Sequence, residues 1–297
     1  MTANSSRAGP ARPARPPHGP RALGADAALA DGGRRSIGGD GVGNRNFVLR
    51  ALCEADAEAL AGELRDVTLG SGEVVYEPDY AVDWVYFPQT AVLSVVTVMA
   101  DGRTVESDTV GCESVVGVLA ALGASFSTSR TFTQIPGVTT RLSAAKLRHR
   151  ADTSADFRRL LVRHSQANLA QAHQSVACNA LHGVNQRLCR WLLMSQDRTS
   201  KDVVELTHQF LAAMVGVHRA TITEALGALA AAGLVRNGRG RIEILDRPRL
   251  EALVCECYGA VQANLERLIG QAPTAVDRRA RGRAMSGHDS PRRQARP

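Results

Sequence analysis

The stretch Thr207-His208-Gln209-Phe210-Leu211-Ala212-Ala213-Met214-Val215-Gly216-Val217-His218-Arg219-Ala220-Thr221-Ile222-Thr223-Glu224-Ala225-Leu226 reads as two short helices that meet at a glycine. Leu211, Ala212, Val215, Val217, Ile222 and Ala225 recur at the spacing that fills the angle between such helices, and the small Ala212 lets the second helix approach. Gly216 supplies the positive φ of a tight turn, and Thr207 stands where an N-cap belongs. Arg219, Thr223 and Glu224 share an outward face at the start of the second helix, the end that a helix-turn-helix inserts into the major groove. There the Arg219 fork matches guanine O6 and N7, Glu224 can accept from cytosine N4, and His218 and Thr221 are placed for phosphates. His208 and Gln209, which open the first helix, complete the contact set expected there.

Behind this pair, Leu234-Val235-Arg236 and Arg241-Ile242-Glu243-Ile244-Leu245 alternate as strands around Asn237-Gly238-Arg239-Gly240. The turn chemistry is that of a hairpin, and Arg236, Arg239 and Arg241 stand on it where backbone phosphates would pass. A helix-turn-helix followed by a basic hairpin is a winged helix, so the partner predicted for it is double-stranded DNA.

Upstream, the chain reads as helical from Ser143 to about Gln196, with Phe157, Leu160, Leu161, Leu169, Val176, Leu181, Leu188 and Leu192 along it, until the polar break Asp197–Asp202. That length suggests a connecting helix that packs against a second copy of the chain, which predicts a homodimer. Between Val67 and Leu142 the pattern changes to short β-branched and aromatic runs: 73–76, 84–87, 92–99, 104–110 and 131–135. Gly70-Ser71-Gly72, Pro78-Asp79, Asp101-Gly102 and Pro136-Gly137 punctuate them, and this regular spacing predicts an antiparallel barrel or sandwich. Short helical segments are expected near Glu54–Leu64 and Ser114–Leu122. The predicted fold class is α+β: an N-terminal antiparallel β-roll of jelly-roll type, a long dimerisation helix and a C-terminal winged helix-turn-helix. The expected boundaries are a disordered leader at 1–46, a sensor β-roll at 47–150, the long helix at 151–196, the DNA-binding domain at 197–260, and a helix end with a disordered basic tail at 261–297.

Bulk properties narrow the function classes. A net charge of +7 over 297 residues favours polyanionic partners, although much of it sits in the Pro- and Arg-rich ends. The start lacks an apolar signal core and no apolar run is long enough to span a bilayer, so neither secretion nor a membrane is indicated. The six cysteines form no CxxC framework, which fits a reducing cytoplasm. No histidine occurs between His18 and His149, which removes the usual metal ligand from the barrel, and no nucleophile elbow, P-loop or dinucleotide fingerprint appears. The expectation is therefore no enzyme, no cofactor and no metal. Cys178, His182 and Cys189 fall near one helix face and could form a metal or redox site, but thiols and imidazoles at a helix interface are usually packing, and packing is the reading taken. Cys255 and Cys257 would point apart on a helix, Cys112 reads as packing rather than a sensor thiol, and Trp84, Tyr86 and Phe87 read as β-roll core.

Together these residues resemble the Crp/Fnr family of bacterial regulators over about residues 47–260. The most specific blocks are Val85-Tyr86-Phe87-Pro88, Gly111-Cys112-Glu113-Ser114-Val115-Val116-Gly117, Asn185-Gln186-Arg187-Leu188-Cys189-Arg190-Trp191-Leu192-Leu193, Leu206–Leu211 and Gly240–Asp246. The resemblance implies a transcription regulator whose β-roll is like a cyclic-nucleotide-binding domain, with Gly111, Glu113, Gly117 and Arg130 as the effector-binding candidates. It implies contact with RNA polymerase as well. Members that bind cyclic AMP hold the ribose with a Glu after a Gly and the phosphate with an Arg-Ser pair, whereas here Val118 follows Gly117 and the nearest arginine is in Ser129-Arg130-Thr131. The effector is thus left unidentified, with a cyclic-nucleotide-responsive regulator as the alternative. Members with an iron–sulfur cluster carry several cysteines near the N-terminus, where this chain has only Cys53. Ala220 stands where many members have Glu and Glu224 where many have Arg, which implies a different operator. A ligand-sensing module that docks on protein is the reading from another class; Arg219 and the wing arginines argue against it.

Overall fold

The computed structural model describes residues 44–102 and 104–270. The expected disordered leader, apart from its last residues, and the basic tail beyond 270 lie outside the described residues.

Two short helices, α1 (Phe47–Arg50) and α2 (Glu54–Ala61), precede seven strands: β1 (Arg65–Leu69), β2 (Val74–Tyr76), β3 (Trp84–Pro88), β4 (Val92–Val98), β5 (Thr104–Val110), β6 (Arg130–Ile135) and β7 (Gly137–Ser143). They form two antiparallel sheets, β1-β7-β3 and β2-β6-β4-β5, with a 3-10 turn at Val118–Leu122. Five strands fall on the β-branched runs of the sequence; β1 and β7 do not. The reason lies in β7, the centre of its sheet, which buries Thr139 and Thr140 rather than alternating apolar side chains. Thr140 Oγ1 donates to Asp66 of β1 at 2.7 Å and accepts from Gln89 at 2.9 Å, so hydrogen bonds satisfy what burial would otherwise penalise. Between the sheets lie Val67, Leu69, Tyr76, Leu93, Val110 and Val116.

The helical stretch is divided rather than continuous, into α3 (Ala144–Thr153), α4 (Ala155–Leu181) and α5 (Val184–Thr199). Ser154 adopts an extended backbone and its side chain accepts from Phe157 N, which caps α4. His182, extended at φ −109° and ψ 143°, ends α4 one residue before Gly183. A polar cap and a glycine are thus enough to break a run whose apolar spacing alone reads as one rod. Phe157, Leu160 and Leu161 of α4 join Val85, Phe87, Leu142 and Leu147 in one core.

The C-terminal part contains β8 (Val203–Val204), α6 (His208–Val215), α7 (Arg219–Ala231), β9 (Val235–Gly238), β10 (Arg241–Ile244), α8 (Arg247–Leu253) and α9 (Cys257–Ile269). Its strands pair in the order β8-β10-β9, and Leu188, Leu192, Leu211, Ile222, Leu226, Ile242 and Leu250 fill its core. Helix α9 spans the boundary expected at residue 260 and runs back along α4. The cysteine reading needs correction here. Cys189 lies in the winged-helix core, whereas Cys178 meets Cys255 and Cys257. Cys255 sits in the link between α8 and α9, not on a helix, so Cys255 and Cys257 can face the same way.

The roll and the winged helix meet at Arg198 near the end of α5. Its guanidinium donates to Glu113 Oε1 at 2.7 Å and to the Thr109 carbonyl at 2.6 Å, and it lies so close over Gly111 that a β-carbon there would come within 2.4 Å of its side chain. Phe210 of α6 packs edge-on against Phe132 of β6, with ring centroids 6.3 Å apart. Beside Arg198 stand two further carboxylates, the half-buried Glu106 and Asp108. Burial raises Glu106 from 4.5 to about 7, although hydrogen bonds from Ser94 and Thr109 and the charge of Arg198 oppose the rise. Burial likewise raises Asp108 from 3.8 to about 6, opposed by Arg198 and by the Gln171 amide.

These raised values have a definite sign in stability. Between the unfolded and folded pKa values the folded chain holds protons that the unfolded chain has released, so stability is full below about pH 4 for these groups and is lost as pH rises through about 6 to 7. Glu106→Gln is expected to remove on the order of 1–3 kcal/mol of that pH dependence. Thermal melts at pH 5.5 and 8 check it: the wild-type chain should lose more melting temperature between the two than the variant, and equal losses would clear Glu106 of the effect.

Candidate nucleic-acid interface

The expected helix-turn-helix is present with its expected joints. The Thr207 side chain accepts from Phe210 N at 3.2 Å at the start of α6, and Gly216 ends that helix at φ +69°. Ala212, Val215, Ile222 and Ala225 are buried between the helices. Sequence reasoning missed the role of Arg187: from α5 it donates to the Val215 carbonyl, satisfying one of the free acceptors at the end of α6. No local pattern announces such a contact, because its partner lies 28 residues away.

On α7, His218, Arg219, Thr223 and Glu224 are exposed, Thr221 is half-buried, and the opposite face supplies Ile222, Leu226 and Leu229 to the core. Arg219, Glu224, His218 and Gln209 make no side-chain hydrogen bond or ion pair among the described residues, so their donors and acceptors are available at the surface. His208 is different. Its Nδ1 lies 3.0 Å from Thr223 Oγ1 and its Nε2 lies 3.1 Å from Asn237 Oδ1, so the ring ties α7 to the hairpin and both nitrogens are used within the protein. Thr223 also donates to the Arg219 carbonyl, which holds its hydroxyl close to the helix.

The hairpin closes through Arg239-Gly240 between β9 and β10, with Gly240 at φ +68°. Arg239 and Arg241 are exposed and carry no ion pair among the described residues. Arg236 is held by Glu243 at 2.7 Å, so its charge is already compensated. The result is one surface with a helix N-terminus, a bidentate donor at Arg219, an acceptor at Glu224 and the exposed Arg239 and Arg241 on a projecting hairpin. Such a surface can follow a groove with the helix and a phosphate backbone with the hairpin.

Each effector-binding candidate meets a partner within the protein. Gly111 and Glu113 are engaged by Arg198. Gly117 takes φ +84° with the Tyr76 hydroxyl where a β-carbon would stand, and Tyr76 itself donates to the Trp84 carbonyl at 2.6 Å. Arg130 pairs with Glu77 at 3.4 Å on the outer part of β6. Within this block Ser114 lies 2.9 Å from His164 Nε2 of α4 and donates to Asn168 at 2.9 Å. Burial pushes His164 down to about 4, so it acts there as a neutral hydrogen-bonding ring. Residues 111–117 thus link the roll to both α4 and α5. Phe87 is buried as expected, and the Arg141 guanidinium lies 4.2 Å over the Trp84 ring.

Comparison with known proteins agrees with this geometry. Residues 186–253 match the family described as the Crp-like helix-turn-helix domain. The transcriptional regulator SdrP of Thermus thermophilus is 33% identical over 99 residues, covering 31% of this chain and 49% of that protein. The chain therefore spans about half the length of the curated relative it matches. The structure of FixK2 from Bradyrhizobium japonicum superposes with a TM-score of 0.57 at 18% identity, over 65% of this chain and 98% of the other. A CRP-family transcriptional regulator from Thermus thermophilus gives 0.52 at 18% identity, over 63% and 95%. At such identities the likeness is one of fold.

Proposed function

We propose that this chain, of the Crp/Fnr family by its helix-turn-helix domain and its fold, is a sequence-specific DNA-binding transcription regulator that acts as a homodimer in the cytoplasm. The single observation that carries the reading is the exposed face of α7, where Arg219 and Glu224, like Arg239 and Arg241 of the hairpin, carry no ion pair among the described residues. Two such faces, about 34 Å apart in a two-fold dimer, read a pseudo-palindrome. Dimerisation is supported by α4: Val162, Leu169 and Val176, spaced seven apart, are 52%, 57% and 70% exposed. A heptad stripe of that kind is a seam for a second helix, while α9 covers another side of α4.

The effector acts on the roll, and residues 111–117 are the route by which it biases the winged helix, since Glu113 grips Arg198 and Ser114 grips α4. A ligand can shift that arrangement only by binding one form more tightly than another. Contact with RNA polymerase belongs to the same reading. Selection of bound sequences from a random DNA pool tests it: enrichment of a two-fold site is expected, and failure to enrich any site would overturn it.

The hairpin supplies a second expectation. Arg239→Ala should weaken specific and random DNA alike and reduce the slope of log affinity against log salt by about 1. Binding isotherms at several salt concentrations would show an unchanged slope if the hairpin does not reach a phosphate.

A further inference from the structure

Three thiols and an imidazole converge where α4 ends and the link from α8 to α9 passes it. The donor atoms of Cys178, His182, Cys255 and Cys257 all lie within 4.8 Å of one another. Cys178 Sγ is 3.6 Å from Cys255 Sγ, and Cys257 Sγ is 3.5 Å from His182 Nδ1. Bond lengths of about 2.3 Å to sulfur and about 2.0–2.1 Å to nitrogen put neighbouring ligands of a tetrahedral zinc ion roughly 3.5–3.8 Å apart, so both separations match edges of such a tetrahedron.

The surroundings support a ligand shell rather than incidental packing. The three cysteines form a buried cluster of their own with no aliphatic member. His182 Nε2 faces Glu256 Oε1 at 3.2 Å, which leaves Nδ1 directed at the thiols, the carboxylate–histidine arrangement that orients an imidazole ligand. Gln174 donates its amide to Cys257 Sγ at 3.0 Å, a contact suited to a thiolate. The backbone supports the convergence too: His182 is turned off α4 by its extended conformation, and Cys255 follows the extended Val254 in the link.

We propose that Cys178, His182, Cys255 and Cys257 form a four-ligand site for one zinc ion, which braces the end of α4 against the start of α9. A set of three sulfurs and one nitrogen suits tetrahedral zinc, whereas an iron–sulfur cluster spreads its thiolates over several irons and needs a wider set than one within 4.8 Å. On binding, the three thiols release their protons to solvent and His182 ligates as the neutral ring. The ion sits at the His182-Gly183 break, where α4 passes into α5, and so sets how the winged helix leaves the long helix.

Full-length protein from zinc-supplemented medium, purified without chelator, is expected to carry about one zinc per chain by plasma mass spectrometry, with no acid-labile sulfide. Apoprotein titrated with cobalt should develop thiolate-to-metal charge-transfer absorption and the visible bands of a tetrahedral site. Cys178→Ser and Cys257→Ser should abolish both signals, whereas Cys53→Ser and Cys189→Ala, outside the cluster, should retain them. Chelation should lower the melting temperature of the wild-type chain and leave that of Cys178→Ser unchanged. Absence of zinc together with no cobalt spectrum in the wild-type chain would overturn the assignment, as would full metal retention in Cys178→Ser or iron with labile sulfide. None of these readouts depends on DNA binding.

Discussion

Replacing Arg219 with alanine is expected to cost about 1–3 kcal/mol on the preferred operator, roughly 5- to 150-fold in affinity, with little loss on random DNA. The side chain is exposed near the N-terminus of α7 and has no partner among the described residues, so its removal leaves no buried charge and the fold should be unaffected. What disappears is a bidentate pair with a base, and base preference at that position should relax with it. Competition binding against single-position operator variants would read this directly. Equal weakening of specific and random DNA would mean that Arg219 holds a phosphate instead. Glu224, one helical turn and one residue further along α7, is expected to govern a neighbouring position through its acceptor oxygens, which no arginine there could do.

Leu169→Glu should have the larger consequence, because it acts on every contact at once. Placing a charge at the centre of the Val162, Leu169 and Val176 stripe opposes helix pairing, and the residue's 57% exposure within the single chain means the protomer itself loses little. The variant is expected to sediment as a monomer with unchanged helix content. Losing the second half-site removes the effective concentration that links two recognition helices, so operator affinity should fall by about a hundredfold or more. A variant that remains a dimer would move the subunit interface away from this stripe.

The two residues differ in how they could be found. Arg219 is legible from the sequence because the helix-turn-helix is a local motif: the glycine, the capping threonine and the apolar spacing lie within twenty positions and set their own geometry. The α4 stripe is less visible, since Leu169 stands among polar and alanine residues and only the side that α9 covers shows which face is left open. Strands β1 and β7 escaped for a related reason: buried threonines satisfied by Asp66 and Gln89 carry no apolar period. Arg198 offered no sign of its role, being one arginine after a polar helix end until Glu113 and Thr109 are brought to it.

The sequence by itself determined what rests on short-range chemistry. Turn residues, caps and hydrophobic period set the class of fold, the winged helix and its outward face, because each is decided by neighbours a few positions apart. Tertiary structure alone decided which distant polar groups meet. It brought His208 to Asn237 of the hairpin, Arg198 to Glu113, Tyr76 to the Trp84 carbonyl and Arg130 to Glu77, and carried Cys255 back across 77 residues to Cys178. Ionic, thiol and imidazole contacts of that kind are satisfied by any suitably placed partner, so their choice follows from how the chain returns on itself and not from any pattern along it.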